Sequence, residues 1–151
     1  MTEEPLLKRV DAVTIPVPDI EAGLRFYRDT LGQRLLWRND EVGQAGLALP
    51  ESDTEIVLTT RQRYEPNWLV DSADAAAAAV ERAGGRILSG PVDIPVGRLA
   101  VVADPFGTVL VLLDLSAGTY RAAADGTVTG VAPPPAPAPP PAPAPAPAPK
   151  T

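Results

Sequence analysis

Residues 17–35 recur, loosely, fifty-three positions further along the chain. Val17 has its counterpart in Val70, Glu21 in Asp74, Ala22 in Ala75, Gly32 in Gly85 and Leu35 in Leu88. Each copy reads as a short apolar strand, an acidic helix start, three or so helical turns, a glycine stop and a second strand. A repeat of this size marks two copies of one supersecondary unit, so the fold has to be built from a duplicated module.

The periodicities complete each copy. Arg9 to Val17 is rich in β-formers, and Pro16 and Pro18 end it. Asp19 is placed to cap a helix whose Ile20, Leu24, Tyr27 and Leu31 share one face, and Gly32 to end it. Strands follow at Gln33 to Asn39, Gln44 to Leu49 and Glu55 to Thr60. The second copy starts at Asn67 to Val70. Ser72 caps an alanine-rich helix, Ala73 to Ala83, whose run Ala75 to Ala79 suits close packing on a sheet. Arg86 to Ser89, Arg98 to Ala103 and Thr108 to Leu115 are its strands, the last two joined by the turn Asp104-Pro105-Phe106-Gly107. The order is β-α-β-β-β twice: an α+β fold, modules at about 9–60 and 65–115, helices outside a curved mixed sheet. Residues 133–149 contain only proline and alanine, 11 of the chain's 19 prolines among them. Proline has no N–H to give a ladder, so this stretch predicts an extended tail. With Gly126 to Ala132 as a loose lead-in, the folded domain is expected over 1–120 and a disordered tail over 121–151.

Composition removes several functions. Residues 1–120 carry 11 Lys and Arg against 18 Asp and Glu, a net of −7, which repels phosphate backbones and argues against nucleic acid. No apolar run reaches the length of a membrane span. The acidic opening MTEEPLLKRV is unlike a signal peptide. The chain has no cysteine and no histidine. That fits a reducing cytoplasm and withdraws the commonest metal ligands and general bases. There is no Gly-rich phosphate loop, Ser-His-Asp set or dinucleotide fingerprint.

Two segments carry a family resemblance. VTIPVPDIEAGLRFYRDTLG, with Asp19, Phe26, Tyr27, Leu31 and Gly32, and GRLAVVADPFGTVLVLLDL, Gly97 to Leu115, together resemble the vicinal oxygen chelate superfamily of glyoxalase I, extradiol dioxygenases, and fosfomycin- and bleomycin-resistance proteins. The resemblance implies paired modules around a central cleft, and a homodimer. In the metal enzymes the cleft holds ligands from the first and last strand of each module. Those positions fall on Ala12, Val57, Glu65 and Val111. Alanine and valine have no lone pair to offer, so no metal and no cofactor are expected.

Strand alternation turns Ala12, Thr14, Glu55, Val57, Thr59, Val109, Val111 and Leu113 toward the cleft, and Val13, Ile15, Ile56, Leu58, Leu110 and Leu112 toward the helices. The candidate ligand-binding residues are therefore Thr14, Trp37, Glu55, Val57, Thr59, Glu65, Arg98 and Val111; no catalytic residue is assigned. Trp37 can stack on a planar ligand or join the core, whereas Trp68 shares the parity of Val70 on the helix side. Arg98 can meet a ligand carboxylate or pair with a neighbouring acid such as Asp104. The expected function is a metal-free small-molecule-binding protein that sequesters a cationic or aromatic ligand in the cleft. The alternatives are a metal-dependent lyase or dioxygenase of the same superfamily, and an interaction module tethered by the Pro/Ala tail.

Overall fold

The computed structural model describes residues 4–135; most of the Pro/Ala tail lies outside the described residues. Among the described residues, ten strands and two α-helices follow in chain order: β1 (Arg9–Pro16), α1 (Ile20–Leu24), β2 (Leu35–Asn39), β3 (Gln44–Leu49), β4 (Ser52–Thr59), β5 (Glu65–Leu69), α2 (Ala73–Arg82), β6 (Arg86–Ile94), β7 (Gly97–Ala103), β8 (Val109–Asp114), β9 (Thr119–Ala122) and β10 (Val128–Ala132). The first eight strands form one mixed sheet in the order β2-β3-β4-β1-β5-β8-β7-β6. β1 runs parallel to β4, and β5 to β8, within their modules. The modules join where β1 meets β5 antiparallel.

The register shows the duplication directly. Thr14 pairs with Glu65 and Ala12 with Asn67, so Thr14 and Asn67 exchange places about the junction. Thr14 also pairs with Val57 in β4, as Asn67 pairs with Val111 in β8. Both helix starts are built as the sequence predicts: the Asp19 carboxylate accepts from Ala22 N–H at 2.7 Å, and the Ser72 hydroxyl from Ala75 N–H at 3.1 Å.

The apolar residues divide between two clusters under the helices. One gathers Val70, Ala73, Ala76, Ala77, Ala100, Val102 and Leu112. Here α2 presents methyl groups to small residues of β7, which lets helix and sheet approach closely; burial of such surface stabilises by about 25 cal/mol per Å². The other gathers Ile20, Leu24, Ala45, Leu47 and Leu58.

Two expectations need correction. α1 ends at Leu24 and continues as a π-helical turn, Arg25–Thr30, with Leu31 N–H donating to the Phe26 carbonyl at 2.9 Å. The wider turn rotates the following residues off the α-helical stripe, so Tyr27 packs on the core but Leu31 is 51% exposed. The loose lead-in read at Gly126 to Ala132 is instead part of a hairpin. β9 and β10 pair antiparallel, and the Gly126 carbonyl accepts from Arg38 N–H of β2 at 2.7 Å. The sequence signal is weak there because these short strands hold few large apolar residues.

Candidate functional site

The concave face of the sheet, opposite the helices, carries a groove at the junction of the modules. Its central cavity has a volume of about 180 Å³ and is lined by Ala12, Val57, Asn67, Leu99 and Leu113 on the floor, with Asp11, Trp37, Val96 and Tyr120 around it. A second lobe, with Glu55 and Leu36 added, continues along β2 and β4. A larger cavity, about 600 Å³, lies elsewhere, along the ends of β2, β3 and β4. It is the more polar of the two, and it lacks the aromatic wall.

The aromatic wall is built from three strands. Trp37 on β2 lies across β3 at Gly46. A Cβ on Gly46 would sit 2.2 Å from Trp37 Nε1, 2.4 Å from Cε2 and 2.8 Å from Glu55 Oε1. Only glycine leaves that space. The indole N–H donates to Glu55 Oε1 at 2.7 Å, and Tyr120 of β9 packs on the ring with centroids 4.6 Å apart. Tyr120 is also placed by Asn39, whose Nδ2 lies 3.5 Å from the phenol oxygen.

Two carboxyl groups border this wall. Glu55 faces it from β4. Burial pushes its carboxyl above the usual range, the Trp37 hydrogen bond opposes that, and the Asp11 charge adds to it. Asp11 is the extra residue where the β1–β5 register shifts between Val10 and Ala12, and the bulge is what brings it to the groove. Burial raises Asp11 too, and Arg9, at 3.6 Å, offsets this. Asn67, on the floor, is 8% exposed and its Oδ1 has no hydrogen-bond partner.

The structure separates the residues singled out from the sequence. Trp37, Glu55 and Val57 come together in the groove. Glu65 and Val111 share a shallower depression farther along, with Arg63, Leu88 and Val109. Thr14 and Thr59 occupy the expected strand face but are buried, and their hydroxyls are engaged in the link between modules. Thr14 donates to the Arg63 carbonyl, with that of Glu65 at 3.1 Å, while the Thr59 hydroxyl accepts from Arg61 and Gln62 N–H. Arg98 lies away from the groove: its guanidinium pairs with Asp74 at 3.1 Å and Asp93 at 2.6 Å. Asp104, the acid named from sequence, instead closes its own turn by accepting from Phe106 and Thr108 N–H. Asp11, Asn67 and Tyr120 escaped the sequence reading. A bulge shifts the first, and the third is the last residue of the expected domain, past its last expected strand. The second carried a signal, since it alternates with Glu65.

The positions that hold ligands in the superfamily's metal enzymes carry few donors here. Ala12, Val57 and Val111 are aliphatic, and among the described residues no three His, Cys, Asp or Glu side chains converge. Nor is any described helix long and apolar enough to cross a membrane.

Comparison with known proteins agrees with this fold. Residues 9–67 match the model of the Glyoxalase/Bleomycin resistance protein/Dioxygenase superfamily. The glyoxylase candidate CFP32 of Mycobacterium tuberculosis is 35% identical over 104 residues, which is 64% of this chain and 39% of that protein. The anthracycline biosynthesis protein DauV of Streptomyces sp. strain C5 is 32% identical over 125 residues, 76% of this chain and 44% of that protein. The chain thus spans about two-fifths of the length of these curated relatives. Among solved structures, the methylmalonyl-CoA epimerase of Mycobacterium tuberculosis superposes with a TM-score of 0.59 at 22% identity, covering 76% of this chain and 92% of that one, a likeness of fold alone. The matched first module and the duplicated β-α-β-β-β architecture place the chain in the Glyoxalase/Bleomycin resistance protein/Dioxygenase superfamily, to which it belongs.

Proposed function

We propose that this protein binds a small, planar, partly apolar molecule in the concave groove and holds it without a metal. One observation carries the reading. Three of the four positions where metal enzymes of the superfamily place ligands are Ala12, Val57 and Val111, and the same face offers an apolar floor beside the Trp37–Tyr120 wall. Such a surface suits stacking and desolvation of a flat ring system. A relative named for anthracycline biosynthesis supports a flat polycyclic ligand. A homodimer in solution belongs to the same proposal, and analytical ultracentrifugation tests it.

Binding is measured by quenching of tryptophan emission and by thermal shift against planar polycyclic compounds that are cationic, neutral or anionic. An anthracycline is included among them. A hit is expected to quench Trp37 and to lose its effect in Val57→Trp, which fills the groove from β4. Overpacking at this site costs about 1–3 kcal/mol, so the variant is to be checked for a cooperative melt. A set with no hit, or hits that Val57→Trp leaves untouched, overturns the proposal.

A further inference from the structure

We propose that the groove contains a subsite for a protonated amine, formed by the Asp11 and Glu55 carboxylates with the Asn67 amide as neutral partner. The proposal rests on the groove reading and names the polar group its ligand carries.

Three observations converge. Asp11 and Glu55 reach one groove from neighbouring strands: Glu55 is directly opposite Ala12, and the bulge turns Asp11 inward beside it. Among the described residues, Glu55 has no cationic partner; its hydrogen bond comes from an indole. Arg9 partly answers Asp11 at 3.6 Å and is shared with Asp53 at 3.9 Å. The site is thus short of positive charge in a chain with a surplus of acids. The independent observation is Asn67. Its side chain lines the central cavity together with Asp11, beside the lobe that holds Glu55, is more than nine-tenths buried, and leaves Oδ1 unpartnered. An orphaned buried acceptor is costly, and a ligand N–H would remove that cost.

The chemistry favours a primary or secondary ammonium on an aromatic body. The group has two or three N–H donors, enough to serve Glu55 and Asp11 with one over for Asn67. The adjoining ring packs on Trp37 and Tyr120, whose faces also attract cations. An alcohol, or an amide N–H, brings fewer donors and no charge. A carboxylate or phosphate is repelled.

Naphthylethylamine and anthracenylmethylamine are each titrated against their N-acetyl derivatives, which keep the ring and lose the charge. For wild type the amine is expected to bind about ten- to one-hundred-fold more tightly than its acetyl partner, the range of a charge-assisted hydrogen bond. Glu55→Gln keeps an acceptor for the Trp37 indole, and Asp11→Asn keeps the shape of the bulge. Each is expected to reduce the amine-over-acetyl preference at least several-fold, read as the ratio of the two affinities measured on the same variant. Asn67→Leu is expected to weaken the amine more than its acetyl derivative. Lowering the pH should weaken amine binding as Asp11 and Glu55 protonate; Arg9 and Asp53 are the other charged groups beside them, and Trp37, Gln44 and Tyr120 complete the surroundings. Equal binding of amine and acetyl derivative overturns the amine subsite and leaves the groove reading standing. So does a preference that survives in the Asp11→Asn, Glu55→Gln double variant. If neither member of either pair binds wild type, the amine subsite and the flat-ligand reading fall together.

Discussion

Gly46→Ala should dismantle the aromatic wall while changing a single methyl group. The added Cβ would lie 2.2 Å from Trp37 Nε1 and 2.4 Å from Cε2, far inside van der Waals contact, so the indole must swing away. It then gives up its hydrogen bond to Glu55 and its packing on Tyr120. A hydrogen bond to a charged group is worth about 1.5–3 kcal/mol and an aromatic pair about 0.5–1.5 kcal/mol. Water reaches this wall from the groove, which moves the sum to its lower end, about 2 kcal/mol. For a domain of this size that lowers Tm by roughly 5–10 °C. Urea melts give the stability, and tryptophan emission should shift to the red as Trp37 enters water. The discriminating measurement is a cycle. In a Trp37→Ala background the indole is gone and the Glu55 carboxylate, the remaining neighbour at 2.8 Å, is released from it and can turn aside, so Gly46→Ala should cost less than about 0.5 kcal/mol. An equal cost in both backgrounds, or unchanged emission, would show that Gly46 serves backbone geometry and not the indole.

Other outcomes follow from the same geometry. The folded-state pKa of Glu55 is raised, so its contribution to stability is present below the unfolded value, about 4.3, and is lost as pH rises through the folded one. Glu55→Gln should therefore gain stability relative to wild type on going from about pH 4 to neutral; denaturant melts at both values check it. Ending the chain after Gly118 removes the Tyr120 contact and the Arg38–Gly126 hydrogen bond. It should cost about 1–3 kcal/mol and reduce ligand-induced quenching, as a titration of the shortened chain would reveal. Chelator should leave Tm unchanged; a fall of several degrees, reversed by one divalent ion, would show a metal bound to the native state.

The fold was legible because its signals are local. Asp19 and Ser72 cap helices, Gly32 and Gly84 stop them, and alternation in β4 and β8 separates Val57 and Val111 from Leu58 and Leu112; each depends on near neighbours in sequence. The groove depends on coincidences between distant segments, and these were only partly legible. Alternation placed Thr14 and Thr59 on the right face but could not show their hydroxyls engaged by the link at residues 61–65. Arg98 invited a ligand role because Asp74, its partner, lies on another element. Asp11 points outward in an unbroken strand and turns inward only through a bulge set by β5. Leu31 fits an α-helical stripe, and one π-turn displaces it.

The C-terminal hairpin also bears on how the sheet meets other molecules. β2 and β6 are the outermost strands of the eight-stranded sheet, and an outermost strand offers unpaired amides to any extended chain that arrives. The hairpin occupies the middle of that row on β2, through Arg38 with Gly126 and the bridge between Arg38 and Thr127. β6 is defended differently: its pairing with β7 shifts register twice, and Pro91 within the second shift supplies no amide hydrogen. Neither border is a straight template, so the fold resists strand-by-strand growth into polymers. A proteolytic cut ahead of the hairpin would strip one of the two guards and leave the sheet with an adhesive edge.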